Sequence, residues 1–200
     1  TFDWDWVGTD GTFEFTDVPA ETALELVLTP PVPYLATKFQ INLEQDLTRT
    51  FTVEKGLLLR GEIATSDGAA FPDEDSWVEL WLDSEFISSQ LVRDAAFELA
   101  LAPDREYSLR FRPAIPYLNK SVSINIDTDT SRQFELQRGA VLDGKVVTSD
   151  GATLPAERSA VQLWRDNDFV SSHSFSDDSF KMALVPDTEY SLVFRLGTPY

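Results

Sequence analysis

No cysteine occurs among the 200 residues, which excludes disulfides and thiolate metal sites. Histidine is nearly absent too. The single one, His173, rules out zinc sites built from His and Cys. A Ser-His-Asp triad would have to use this one imidazole, and no nucleophile elbow lies near it. A strand-surface imidazole is the expected role.

Basic side chains are scarce. Lys and Arg number 16 against 34 Asp and Glu, for a net charge of −18. A nucleic-acid binder needs a basic face to displace counterions, and none is visible. An anionic membrane surface would repel the chain for the same reason. No apolar run reaches the ~18 residues of a membrane helix, so no membrane insertion is expected in this segment. The chain opens at Thr1 without a signal peptide, as expected of a processed protein or of an excerpt from a longer one. What is present is ordinary apolar content, 42%, and abundant aromatics led by 14 Phe. A packed core is therefore expected and disorder is not.

An internal repeat organises the rest. The string TSDGA at Thr65–Ala69 returns at Thr148–Ala152, 83 residues on. Gly61, Pro72, Trp81 and Phe86 map to Gly144, Pro155, Trp164 and Phe169. Phe97, Pro103, Tyr107, Phe111 and Pro116-Tyr117 map to Phe180, Pro186, Tyr190, Phe194 and Pro199-Tyr200. About half of the residues in 57–117 are identical to their partners. A more diverged copy precedes them: Pro33-Tyr34 matches Pro116-Tyr117, Phe51 matches Phe134, and Gly56 matches Gly139. Before Leu24 the offset becomes 84, pairing Phe2, Phe13 and Pro19 with Phe86, Phe97 and Pro103. The expected division is the later part of one module (1–56), a complete module (57–139) and the earlier part of a third (140–200).

Within the complete module the apolar pattern has period two. Leu59, Gly61 and Ile63 share one face, and Val78 and Leu80 share another. Phe97, Leu99 and Leu101 follow, then Tyr107, Leu109 and Phe111, Val122, Ile124 and Ile126, and finally Phe134 and Leu136. Polar residues alternate with them, as a strand buried on one face requires. Turn chemistry separates the runs at Ser66-Asp67-Gly68, Asp83-Ser84-Glu85, Pro103-Asp104 and Asp166-Asn167-Asp168. The spacing predicts an all-β fold: tandem seven-stranded, two-sheet β-sandwich modules of the Ig-like kind.

The motif order then resembles the carboxypeptidase regulatory-like and Cna-B-type repeats. Its carriers are Gly61, Asp67-Gly68, Pro72, Val78, Asp94, Phe97, Pro103, Tyr107 and Leu109. In the third module they are Gly144, Asp150-Gly151, Pro155, Val161, Asp177, Phe180, Pro186, Tyr190 and Leu192. Asp10-Gly11-Thr12-Phe13 and Val18-Pro19 carry the partial first copy. The resemblance implies a prealbumin-like sandwich serving as a spacer, stalk or fibre subunit on a cell surface, or as an accessory module beside a catalytic domain. Some Cna-B-type members form a Lys–Asn isopeptide bond. Here Lys145 is matched by Glu62, and the last strand, Gln133–Arg138, offers no Asn, so the chain departs from that pattern.

Candidate chemistry is thin. Asp127-Thr128-Asp129 and Asp166-Asn167-Asp168 could place oxygens around Ca²⁺, yet neither has EF-hand spacing, and a turn role competes. Asn119-Lys120-Ser121 is a formal glycosylation sequon. The tryptophans are more informative. Trp81 and Trp164 alternate with Val78-Leu80 and Val161-Leu163, which places each ring on an outer face beside Glu79 or Gln162. They form the candidate contact surface, facing a neighbouring module, another copy or a glycan, with coverage by a loop as the alternative. Trp4 and Trp6, alternating with Asp3 and Asp5, are expected in the core of the first copy. The expected function is a non-catalytic structural segment, extracellular or cell-surface: a stalk, adhesin shaft or filament subunit, with strands from neighbouring subunits completing it. A carbohydrate-binding or accessory module of a secreted enzyme is the alternative.

Overall fold

A computed structural model describes residues 6–16, 18, 22–72, 75–149, 159–174 and 179–195. Phe2, Trp4, Pro19, Asp150-Gly151-Ala152, Pro155, Asp177 and Pro199-Tyr200 lie outside them. The described residues contain fourteen strands and no helix.

Residues 57–136 hold seven of these strands. They are β3 (Leu57–Thr65), β4 (Trp77–Leu82), β5 (Glu85–Leu91), β6 (Ala96–Leu101), β7 (Tyr107–Arg112), β8 (Lys120–Ile124) and β9 (Thr130–Leu136). They form two sheets, ordered β6-β3-β9 and β5-β4-β7-β8. All pairings are antiparallel except β3 with β9, which is parallel with Ile63 opposite Phe134. Alternation from both sheets fills one interior: Leu59, Val78, Leu80, Phe97, Leu101, Leu109, Phe111, Ile124, Phe134 and Leu136 are all at most 5% exposed. At its centre Phe97, Phe111 and Phe134 make a ring trio with centroids 5.1–5.7 Å apart. Two sheets facing each other across one apolar interior are the packing expected of a sandwich.

Two tight turns have both central residues at positive φ, Asp83-Ser84 between β4 and β5 and Asp94-Ala95 between β5 and β6. That geometry matches the twist of the flanking strands and is cheapest for Asp, Asn and Gly. Asp166-Asn167 repeats it.

The same elements recur 83 residues on as β10 (Ala140–Lys145), β11 (Ala160–Arg165), β12 (Asp168–Ser174), β13 (Ser179–Leu184) and β14 (Ser191–Arg195). They form the sheets β10-β13 and β12-β11-β14. Toward the N-terminus, β1 (Thr22–Leu28) and β2 (Thr37–Leu43) form a hairpin equivalent to β7-β8. Phe13 stacks on Phe51 at 6.1 Å as Phe97 meets Phe134, which places the offset-84 match in space. Trp6 is a correction: it is 80% exposed rather than core. It belongs to no strand, so alternation has no sheet to orient it.

At the end of a copy, just before the next begins, a hydrogen-bonded latch closes the copy on itself, and it appears twice. Gly56 N donates to Pro33 O and Leu35 N to Glu54 O, both at 2.8 Å. Gly139 N donates to Pro116 O at 2.8 Å and Leu118 N to Gln137 O at 2.9 Å. Each glycine is wedged between a leucine of the preceding loop and backbone of the following copy. A Cβ on Gly56 would lie 2.6 Å from Leu35 Cδ2 and 2.9 Å from Leu101 O. On Gly139 it would lie 2.8 Å from both Leu118 Cδ2 and Leu184 O. Only a residue without a side chain permits that approach.

Candidate functional site

Trp81 and Trp164 stand where the alternation placed them, on the outer face of the sheet whose inner face carries Val78 and Leu80, or Val161 and Leu163. Both are half-buried. Trp81 is held within its own sheet. The Arg110 guanidinium lies 3.9 Å over its ring, Phe86 meets it edge-on at 5.5 Å, and Nε1 donates to Glu79 at 2.9 Å. Glu79 also pairs with Arg112. A cation over an indole face stabilises by roughly 0.5–1 kcal/mol at exposed sites, and here it covers the surface a sugar ring would stack on. Trp164 keeps the edge-on partner, Phe169 at 5.6 Å. The counterpart of Arg110 is Val193, and the counterpart of Glu79, Gln162, accepts instead from Arg195 Nε at 2.9 Å. The Trp164 Nε1 is buried without a hydrogen-bond partner among the described residues, a cost that Trp81 escapes. Around it Phe169, Val170 and Val193 are 42–54% exposed.

A second constellation was missed from the sequence. Asp67, in the turn after β3, accepts from the Tyr117 hydroxyl at 3.0 Å and from Arg138 at 2.8 Å. Ser66 Oγ accepts from Arg138 N at 3.0 Å. The group ties the first turn to the end of β9 and to the Pro116-Tyr117 loop. Arg138 chiefly, with the Ala69 amide and Tyr117, holds the Asp67 carboxyl at about 2, below the usual 3.8. Burial and the Asp67 carboxylate push the Tyr117 phenol up. Because the folded-state pKa is depressed, the stability from Asp67 is fully present above about pH 4 and fades as pH falls toward 2. Asp67→Asn is therefore expected to lower Tm most near neutrality, with the gap to the parent closing between pH 4 and 2. Thermal melts across that range check it, and a pH-independent gap contradicts it. The effect is modest because the side chain is 27% exposed.

Ser76 was also missed. It is fully buried, donating to Pro72 O at 2.7 Å and accepting from Ala114 N at 2.9 Å. Its identity with the equally buried Ser159, 83 residues on, was the available signal.

The remaining candidates fall into structural roles. His173 lies on strand β12 opposite Val161, partly exposed, and burial lowers its pKa. Asp129 Oδ1 accepts from Leu58 N at 2.9 Å, starting the parallel pairing. Asp166 and Asn167 form the hairpin turn. No group of three or more His, Asp or Glu side chains gathers around a common point among the described residues. Lys145 lies on β10 opposite Ser179.

No family model matches the chain, and no curated protein matches it. Among solved structures it is similar to a DUF3823 family protein from Bacteroides ovatus, at 12% identity and TM-score 0.35 over 69% of this chain and 80% of that one. It is similar to the Bacillus anthracis TIE protein at 12% and 0.34, over 85% of this chain but only 35% of that longer one. It is similar to a streptococcal ancillary pilin at 12% and 0.28, over 88% and 70%. The chain itself is an all-β protein, and its residues 57–136 form a seven-stranded, two-sheet β-sandwich.

Proposed function

We propose that the chain is a non-catalytic structural segment of an extracellular or cell-surface protein, a stalk, adhesin shaft or filament subunit built from 83-residue units. The units are residues 1–56, 57–139 and 140–200, related to the carboxypeptidase regulatory-like and Cna-B-type repeats by their motifs. The observation that carries this is the duplicated latch. At both junctions the same backbone hydrogen bonds close the end of the preceding copy on itself, and the same glycine wedge sets that end against backbone of the next, at Leu101 or Leu184. Only Gln137, Arg138 and Gly139 separate β9 from β10, so no slack linker intervenes. An array with repeated, tight junctions transmits force and keeps a constant step. Small-angle scattering tests it. An elongated particle is expected, with a radius of gyration well above the roughly 16 Å of a compact 200-residue chain, and a value near that figure overturns the proposal.

A carbohydrate-binding role is the second reading, and only at Trp164, where Val193 replaces the arginine that covers Trp81. Glycan-array binding lost on Trp164→Ala supports it, and silence on the array removes it.

A further inference from the structure

The two junctions share the latch and the glycine wedge but differ in charge. At the first, Lys38 on β2 reaches across to Glu85, the opening residue of β5 in the next copy, and its ammonium donates to that carboxylate. Among the described residues this is the one ion pair that joins two copies, and the other pairs each lie within a copy. Lys38 is itself held from behind. Its Nζ lies 3.6 Å from Glu25 Oε1 on β1, and Gln40 Nε2 donates to the other oxygen of Glu25 at 3.0 Å. Lys38 and Gln40 project from one face of the hairpin, as alternate residues of a strand must. The Lys38 side chain is only 28% exposed. The lysine therefore arrives positioned, which lowers the side-chain entropy lost on reaching Glu85.

At the second junction the same three positions, for Glu25, Lys38 and Glu85, are Ser108, Ser121 and Asp168. The register is unchanged: Glu25 stands opposite Gln40, and Ser108 opposite Ser123. Ser121 turns to Ser108, with the two hydroxyls 3.0 Å apart, and neither carries a charge to offset Asp168. The cations beside them in sequence are committed within their own copy. Arg110, opposite Ser121, lies over Trp81, and Lys120 donates to Glu135 O at 2.7 Å.

We propose that Lys38 is a charge clamp fixing the angle between residues 1–56 and 57–139, while the junction ahead of residues 140–200 has its latch and wedge without one. The segment is thus built with one locked step and one step free to bend. This rests on the structural role proposed above and specifies where such a segment gives way. In a chain of net charge −18, acidic copies repel each other, and a lysine set between two glutamates turns that repulsion into attraction at one contact. Salt weakens it, since the three side chains are 28–59% exposed.

No native cysteine has to be removed for the test. Asn42→Cys with Ser89→Cys spans the first junction, and Asn125→Cys with Ser172→Cys spans the second at the equivalent exposed positions. Each pair is spin-labelled in the whole chain, and pulsed dipolar spectroscopy reads the distance distribution. An exposed ion pair biases an orientation by only roughly two- to fivefold, so the width of that distribution is a better readout than a melting temperature. Lys38→Met is expected to broaden the first distribution roughly twofold. Glu85→Ala should do the same, and both together no more than either alone. Salt at about 1 M, where screening acts beyond about 3 Å, should broaden the parent and leave the Lys38→Met chain unchanged. Ser108→Glu, Ser121→Lys, Ser123→Gln and Asp168→Glu together transplant the clamp and should narrow the second distribution. The proposal is overturned if Lys38→Met leaves the first width as it was, or if the transplant leaves the second width as it was. An elongated particle with unchanged widths sinks the clamp and spares the structural role, whereas a compact particle sinks that role whatever the widths.

Discussion

Replacing Phe111 by Ala lowers the stability of the complete unit by about 3–5 kcal/mol, the range for truncating a buried aromatic. The ring is 1% exposed and touches both Phe97, at 5.7 Å, and Phe134, at 5.1 Å. Each such aromatic pair contributes about 0.5–1.5 kcal/mol beyond the area it buries. The control is internal. Phe194→Ala removes the same residue at the equivalent position, but that ring is 43% exposed. Its truncation loses less transfer free energy and leaves no enclosed cavity, so a clearly smaller loss is expected. Denaturant unfolding of both variants reads the contrast, and equal losses would show that the third copy is closed in solution.

Gly61→Ala comes next, and its sign is the point of interest. In a strand, Ala is ordinarily the better residue by about 0.5–1 kcal/mol. Here an ideal Cβ would lie 2.1 Å from Phe97 Cζ and 2.2 Å from Cε1. The ring cannot yield freely, because Phe111 and Phe134 hold it from the other side. Overpacking therefore wins, and a net loss of about 1–3 kcal/mol is expected. The cost should largely vanish in a Phe97→Ala background, since the obstacle is then gone. A variant at least as stable as the parent would show that the strand shifts to admit the methyl. At Gly144 the methyl would lie 2.3 Å from Phe180 Cζ, so the same direction is expected there.

Much of the architecture was legible beforehand. Alternation identified the faces of β3, β4, β6, β7 and β9, and every buried apolar residue of those strands sits on the expected side. The outward positions of Trp81 and Trp164 followed from the same rule. Trp6 did not, since alternation carries meaning only inside a sheet and Trp6 is in none. The Asp67–Tyr117–Arg138 group escaped notice for another reason. Its members lie 50 and 71 residues apart, and each alone looks like ordinary turn or surface chemistry. Ser76 looked polar and unremarkable until its burial was known.

Residue order alone determined the 83-residue period, the strand runs, their turns and the two-sheet class. Each of those depends on neighbours a few positions away, where backbone geometry ties pattern to conformation. Three-dimensional contact decided the rest: that β9 runs parallel to β3, that Arg110 covers Trp81, and that a glycine wedge sets successive copies against each other. Those outcomes turn on partners tens of residues distant, and no local pattern records who meets whom.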